Sequence, residues 1–547
     1  MKRSGLTAGF VLSTVALLTL TACTPREGGS GGDKPKVDET TLVESLPAGA
    51  TAVDEVTWGI VEGEPATLDP GTSAQLITPN LCDNLLTLDP DFSISEGLAK
   101  KAEFVDPVTF QIDLRDDVTF WDGTALTPED VIYSLERNRT PASQWYAAFA
   151  LIKGFEKTGD HQVTVHFNAP DLSFRDVISG GAGAVLSKAY AEAAGPALGT
   201  SDGGLMCTGP YKLGKGDWKP GSAIVTTANE NYWGGAPMVK TLKYVFVTDS
   251  ATLTTALTEG EIEGAFNVPA TSRSSIEGKG AGRMILGPST ASNSFGPTTA
   301  EGPAANPKVR QALSYAIDRE QYVNTVMNGL GHVQKTIVPP FAFNKSGEHE
   351  IYQAAYDALD TPKKDIEKAK KLLEESGEDL SQPLVIAVPA GGKELQQTAQ
   401  IIQASAKEIG VTIEINEMQA SDFGAMFFDP ARRKGIDLVT TTGYLETPGI
   451  FGYPSLFMLP PDRGGVFNWS GYDNPDVTKH LEAARTAPNE ATSTKEFVAA
   501  QEIFTPDQLQ TTLAGTYQLS YLNNDLTGIT TSIAIASSPW ALHLGGK

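Results

Sequence analysis

Short apolar runs and longer stretches of helical period take turns along most of this chain. Phe110-Gln-Ile-Asp-Leu114 alternates apolar and polar residues, the period-2 signature of a half-buried strand. Val118-Thr-Phe-Trp121 then runs into an Asp122-Gly123 turn. Thr127-Pro128-Glu129-Asp130 opens a helix that continues through Val131, Ile132 and Leu135, with Thr127 as N-cap, Pro128 at the first helical position and two carboxylates at the positive helix end. Those roles account for Asp122, Glu129 and Asp130 without any acid–base chemistry.

The second half repeats the rhythm. Asn306-Pro307 opens a helix carrying Val309, Ala312, Leu313, Ala316 and Ile317 on one stripe, and Asp318 caps the helix after it with Gln321 at the third position. Thr361-Pro362 is read as the start of another, with Ile366, Ala369, Leu372 and Leu373 inward and Gly377 at its stop. A strand at Leu384–Val388, a helix from about Glu394 to Ile409 and a strand at Val411–Ile415 make a βαβ unit, which implies a parallel sheet. One further strand, Ile436–Thr441, leads into the loop Gly443-Tyr-Leu-Glu-Thr-Pro448. The fold class is α/β. Ligands of open α/β sheets bind beyond the carboxyl ends of strands. Gly443, Tyr444 and Glu446 therefore offer close approach, an aromatic face and a carboxylate at such an end; the alternative is a turn with a solvated glutamate.

Composition narrows the function. Of 547 residues 42 are basic and 66 acidic, a formal net charge of −24, so nucleic acid is excluded as a partner. Beyond the N-terminus no apolar run approaches about 20 residues, which excludes a multi-span membrane protein. The six histidines are scattered, and His161 and His166 fall on opposite faces of a strand, so no metal site and no cofactor are expected. The G-x-S-x-G match at Gly28–Gly32 lies in linker sequence and lacks the strand-to-helix turn that would expose its serine. No catalytic constellation is expected.

Met1-Lys2-Arg3, the apolar stretch Leu6–Leu20 and the ending Leu20-Thr-Ala-Cys23 have the layout of a secretory signal peptide. The ending resembles the lipobox of bacterial lipoproteins, which implies cleavage before Cys23 and lipid on its sulfur. The Gly-, Pro- and charge-rich residues that follow read as a tether. With Cys23 lipidated, Cys82 and Cys207 remain, and in an oxidising compartment they are expected to pair.

Several blocks occur together and in order: Thr67-Leu-Asp-Pro70, Gly97-Leu-Ala99, Thr109–Arg137, Cys207–Leu213, Asn229–Pro237, Pro307–Arg319 and Gly471–Pro475. In these the chain resembles the extracellular solute-binding proteins of peptide- and nickel-type ABC importers. The resemblance implies a two-lobed, type II periplasmic-binding-protein-like fold of the large peptide-binder subclass, with a hinge and an interlobe cleft. It divides the chain into a signal peptide (1–22), a tether (23–55), lobe I (56–294, with a subdomain at about 76–205), lobe II (295–500) and a segment returning to lobe I (501–547). It also implies a monomer on the outer face of the cytoplasmic membrane, a peptide ligand, and partner permease subunits with cytoplasmic ATPases. In peptide binders of this family an aspartate in the loop after Gly-Trp pairs with the peptide's α-ammonium; here Tyr444 and Glu446 stand in those places. Trp469 lines the cleft or belongs to the core. Thr72 and Ser73 offer backbone groups to a ligand strand or form an ordinary turn. The competing functional readings are a surface lipoprotein hydrolase and a peptide-signal receptor without bulk transport.

Overall fold

The structure is a computed structural model that describes residues 36–72, 76–343, 348–443 and 452–547. The expected signal peptide, Cys23, Ser73, Tyr444 and Glu446 lie outside the described residues.

Two large mixed sheets carry the architecture. The first has eight strands and runs, edge to edge, through Gly282–Gly287, Gln518–Asn523, Gly264–Phe266, Val53–Ile60, Val239–Phe246, Ala223–Ala228 and Tyr211–Lys212, with Trp218–Lys219 also pairing Ala223–Ala228. The second runs through Gly331–Val333, Thr511–Thr516, Ser292–Pro297, Leu438–Gly443, Leu384–Pro389 and Ile413–Met418. A smaller antiparallel sheet of Ala99–Asp106, Thr109–Leu114, Gln162–Phe167 and Ile152–Gly159 forms beside the first. Its alternation is the one legible in sequence: Phe110, Ile112 and Leu114 are buried and pack with Val131 and Leu135 of the Pro128–Arg137 helix. Thr127 and Asp130 close a reciprocal capping box on that helix.

The βαβ unit forms as its pattern predicts. Leu384–Pro389 and Ile413–Met418 pair in parallel across the Lys393–Glu408 helix, which buries Ala399, Ile402 and Ala406 against them. One helix start differs. Asp365, not Thr361, caps the Ile366–Ser376 helix by accepting from the Lys368 amide. Residues before it are held apart from the helix because the Pro362 carbonyl accepts from Arg319 and the Asp365 amide donates to Tyr315.

Two expected boundaries also move. Chain expected to be tether is bound to the first lobe from about Asp38. The Val43 amide donates to Leu286, Leu46 to Ile529 and Gly49 to His543, while Val43, Leu46 and Val53 pack on the first core. The return to the first sheet begins at Tyr517 rather than 501. The Glu490–Phe504 helix buries Phe497 and Phe504, and the Thr511–Thr516 strand buries Leu513, all within second-lobe cores, so an earlier exit would expose them.

The chain thus passes between the sheets in two places, from Gly287 to Ser292 and from Thr516 to Gln518. Gly287 is registered with Gln518 and Ser292 with Gly515, so the two crossings run side by side. Strands of each sheet that run parallel to one another end at this crossing: Ile60, Phe246 and Phe266 in the first, Pro389 and Gly443 in the second.

Candidate ligand cleft

Strand ends facing a shared crossing are the places where an α/β protein exposes backbone and short polar side chains to a ligand. On the first wall Glu62 lies two residues beyond Ile60, and Asn267 lies one beyond Phe266. Asn267 takes a left-handed conformation (φ 55°), which asparagine tolerates better than most residues. Its Nδ2 donates to Glu62, and Gln518 Nε2 donates to its Oδ1 at 3.1 Å. Glu62 is reached by solvent yet has protein around it on most sides, as a side chain on the wall of a recess does. Desolvation raises its carboxyl above the ordinary range, against the lowering effect of the Asn267 hydrogen bond.

The second wall mirrors the first. Asn293, on the strand that has just crossed, is fully buried and donates through Nδ2 to Glu394, in the first turn of the Lys393–Glu408 helix. Glu394 is likewise open to solvent but enclosed, and desolvation raises its carboxyl despite the Asn293 bond. The other end of the Asn293 amide, Oδ1, is buried without a partner among the described residues. Tyr322 shares a 2.8 Å hydrogen bond with Thr398 on the same helix. Nearby, Gln334 Oε1 is also buried without a partner, against Gly515. A Cβ at residue 515 would meet His332 Nε2 at 2.3 Å and Gln334 Oε1 at 2.6 Å, so glycine is required for that approach. The mouth is narrow: Asp249, whose carboxyl is lowered first by the Thr252 amide and hydroxyl, also feels the charge of Lys393 from the opposite wall.

Gly443 belongs to this set. It ends its strand opposite Ser292, and a Cβ there would lie 2.5 Å from the Tyr453 hydroxyl. Tyr444 and Glu446 follow Gly443 in sequence, outside the described residues. Thr72 is exposed, and its amide donates to the Asp69 carbonyl at 3.1 Å. Asp69 holds that turn through a two-pronged pair with Arg137; no hydrogen bond joins Thr72 to Glu62 or Asn293. Trp469 is half-buried. Its ring packs on Phe427 and Phe467, with the Arg433 guanidinium 4.5 Å above it, in a cluster with Met426, Ile436 and Val439. Cys82 and Cys207 form a disulfide in the first lobe, Cα atoms 4.9 Å apart.

A second junction joins the smaller sheet's region to the second lobe. Arg485, at the end of the Pro475–Arg485 helix, donates from Nη2 to Asp171 Oδ2 at 2.6 Å, and its carbonyl accepts from Leu172 at 3.0 Å. The Asp171 side chain is completely buried. Next to it Asp176 is pushed up to about 7, first by desolvation and then by Glu490.

Sequence reasoning missed Glu62, Asn267, Asn293, Glu394 and the Asp171–Arg485 pair. The strand-end rule that singled out Gly443 would have reached Glu62, which follows the apolar run of the Val53–Ile60 strand. Asn293 and Arg485 carry no local signal.

The walls present mainly acceptors and carboxylates, and among the described residues no group of three His, Cys, Asp or Glu is placed to hold a metal ion. Two lobes joined by paired crossings, with such walls between them, define a binding protein built to enclose a solute. Residues 93–459 match the bacterial extracellular solute-binding proteins, family 5, and the chain belongs to that family. It is 25% identical over 473 residues to the glutathione-binding protein GsiB of Escherichia coli O157:H7, covering 84% of this chain and 89% of the relative. The oligopeptide-binding protein AppA of Bacillus subtilis, solved with a nonapeptide, superposes with a TM-score of 0.76 at 21% identity, covering 89% of this chain and 99% of AppA. AgaA of A. tumefaciens R10, solved with agropinic acid, superposes at 0.78 with 22% identity, covering 90% and 99%. The fold is that of the type II peptide- and nickel-binding proteins, and the family binds solutes rather than transforming them.

Proposed function

We propose that this chain is the lipid-anchored substrate-binding subunit of an ABC importer. It captures di- or oligopeptides between its lobes and delivers them to the permease, whose cytoplasmic ATPases drive uptake. The observation that carries the peptide reading is the cleft itself: strand ends from both sheets meet at the crossing beside carboxylates and an unpartnered amide oxygen. Such a surface suits a ligand that is rich in N–H donors. Relatives named for glutathione and oligopeptides support the same class of ligand. Glu446, in the loop that starts at Gly443, pairs with the ligand's ammonium, and Tyr444 supplies an aromatic face beside it. Glu446→Gln weakens peptide binding by about 2 kcal/mol, because a buried ammonium loses its counter-charge. Calorimetry reads this directly, and an unchanged affinity removes Glu446 from the site. Anchoring rests on Cys23. Mass spectrometry of the membrane-extracted chain should find an N-terminal Cys23 carrying diacylglycerol, and Cys23→Ala should release the protein into the medium.

A further inference from the structure

Glu62 and Glu394 stand on opposite walls of the cleft, and among the described residues neither is paired with a cation. Glu62 accepts from the side-chain amide of Asn267 as well as from backbone amides, and Glu394 accepts from that of Asn293. Enclosing a carboxylate without a counter-charge is unfavourable, and in a folded chain that arrangement persists where something else supplies the charge. The two are tied to the crossings by short links. Glu62 reaches Gln518 through Asn267, and Glu394 reaches the crossing strand through Asn293. Asn293 is registered with Ala514, four residues before Gln518, so the two anchor points lie about 13 Å apart along extended chain.

A second observation is independent of the carboxylates. Asn293 is fully buried, its Nδ2 donates to Glu394, and its Oδ1 has no hydrogen-bond partner among the described residues. An acceptor left open beside a carboxylate asks for a ligand that brings N–H groups and positive charge together. The first-turn position of Glu394 adds the positive end of a 16-residue helix, which favours the ionised carboxylate such a ligand needs.

We infer that the cleft selects cationic solutes, held by Glu62 on one wall and Glu394 with Asn293 Oδ1 on the other. Closing over a cation neutralises both walls at once, whereas closing over a neutral solute leaves both carboxylates without a counter-charge. The net charge of −24 adds long-range attraction for such ligands. The inference rests on the reading of the cleft as the solute site and adds the charge of the solute. Ammonium or guanidinium groups reach it either on basic peptides or on a polyamine.

Calorimetric titration of the full mature chain with trilysine, trialanine and spermidine tests this and separates the sources. Trilysine is expected to bind at least about tenfold tighter than trialanine, with the difference shrinking as salt is raised. Glu62→Gln and Glu394→Gln should each weaken trilysine by about tenfold. Equal affinity for trilysine and trialanine overturns the cation preference and leaves peptide capture standing. That comparison uses the unaltered chain, so it holds even if a variant misfolds. Trilysine binding that neither folded variant weakens overturns the assignment to these two residues. Spermidine binding without either peptide supports the cation site and overturns the peptide reading. Binding of none of the three overturns both.

Discussion

Replacing Arg485 by methionine tests whether the second junction between the lobes holds the closed form. The substitution keeps an unbranched apolar stem and removes the guanidinium and its charge. Asp171 then remains fully buried without the guanidinium that now lies 2.6 Å from its Oδ2. It keeps the Ser173 hydroxyl at 2.6 Å, and the Leu172–Arg485 backbone bond at 3.0 Å is unaffected. Truncating one member of a buried, hydrogen-bonded charge pair costs about 2–5 kcal/mol, and the surviving Ser173 bond places this case near 2. When the lobes separate, Asp171 regains water, so the penalty falls on the closed form alone. Ligand binding, which draws on the closed form, weakens about 30-fold, mainly through faster release. Small-angle scattering of the unliganded protein provides a readout that needs no ligand: Arg485→Met should be more extended than the unaltered chain. Adding Asp171→Asn should recover most of the loss, since no charge is then left buried. Scattering curves that superimpose, with unchanged ligand release, would refute the reasoning.

Three further outcomes follow from the packing and charges of the two lobes. Cys82→Ala with Cys207→Ala opens a loop of 125 residues and costs about 5 kcal/mol on the chain-entropy account, read as a lower melting temperature that reductant also produces in the unaltered protein. A melting temperature insensitive to reductant argues against it. Asp176 has a folded value of about 7, above the roughly 3.9 of an unfolded aspartate, so it stays protonated in the folded chain while the unfolded chain has released its proton. Stability is therefore lost as pH rises from about 4 to 7 and levels off above. Glu490 and Asp171 face it as like charges and Arg175 opposes them, and Asp176→Asn should flatten that slope in denaturant titrations; an unchanged slope contradicts the assignment. Gly443→Ala sets a Cβ against the Tyr453 hydroxyl and should destabilise the second lobe by about 1–3 kcal/mol in the same titrations, with no change expected only if the tyrosine is free to move.

Much of the second lobe could be read from the chain because its signals are local. The stripe on the Pro307–Ala316 helix, the Asp318 cap and the Gly377 stop each need only neighbouring residues, and each forms as its pattern predicts. Thr361-Pro362 misled because two cap-like residues lay four apart and distant partners, Arg319 and Tyr315, decided between them. The boundary at 501 misled for a related reason. Nothing near that residue says which sheet the Thr511–Thr516 strand will join; pairing with residues 292–295 decides it. The cleft was half legible. Gly443 was found from a strand end, but Asn293 binds a residue 101 positions away and Arg485 one 314 away, and no local pattern encodes either.

The central claim is that this cleft encloses a peptide. Native mass spectrometry of the protein purified gently from its own cells measures the occupant directly. The account predicts one peptide per chain, enriched in lysine and arginine and lost on mild activation. A chain that carries only sugars or metal chelates, or that stays empty after exposure to a peptide digest, would contradict it.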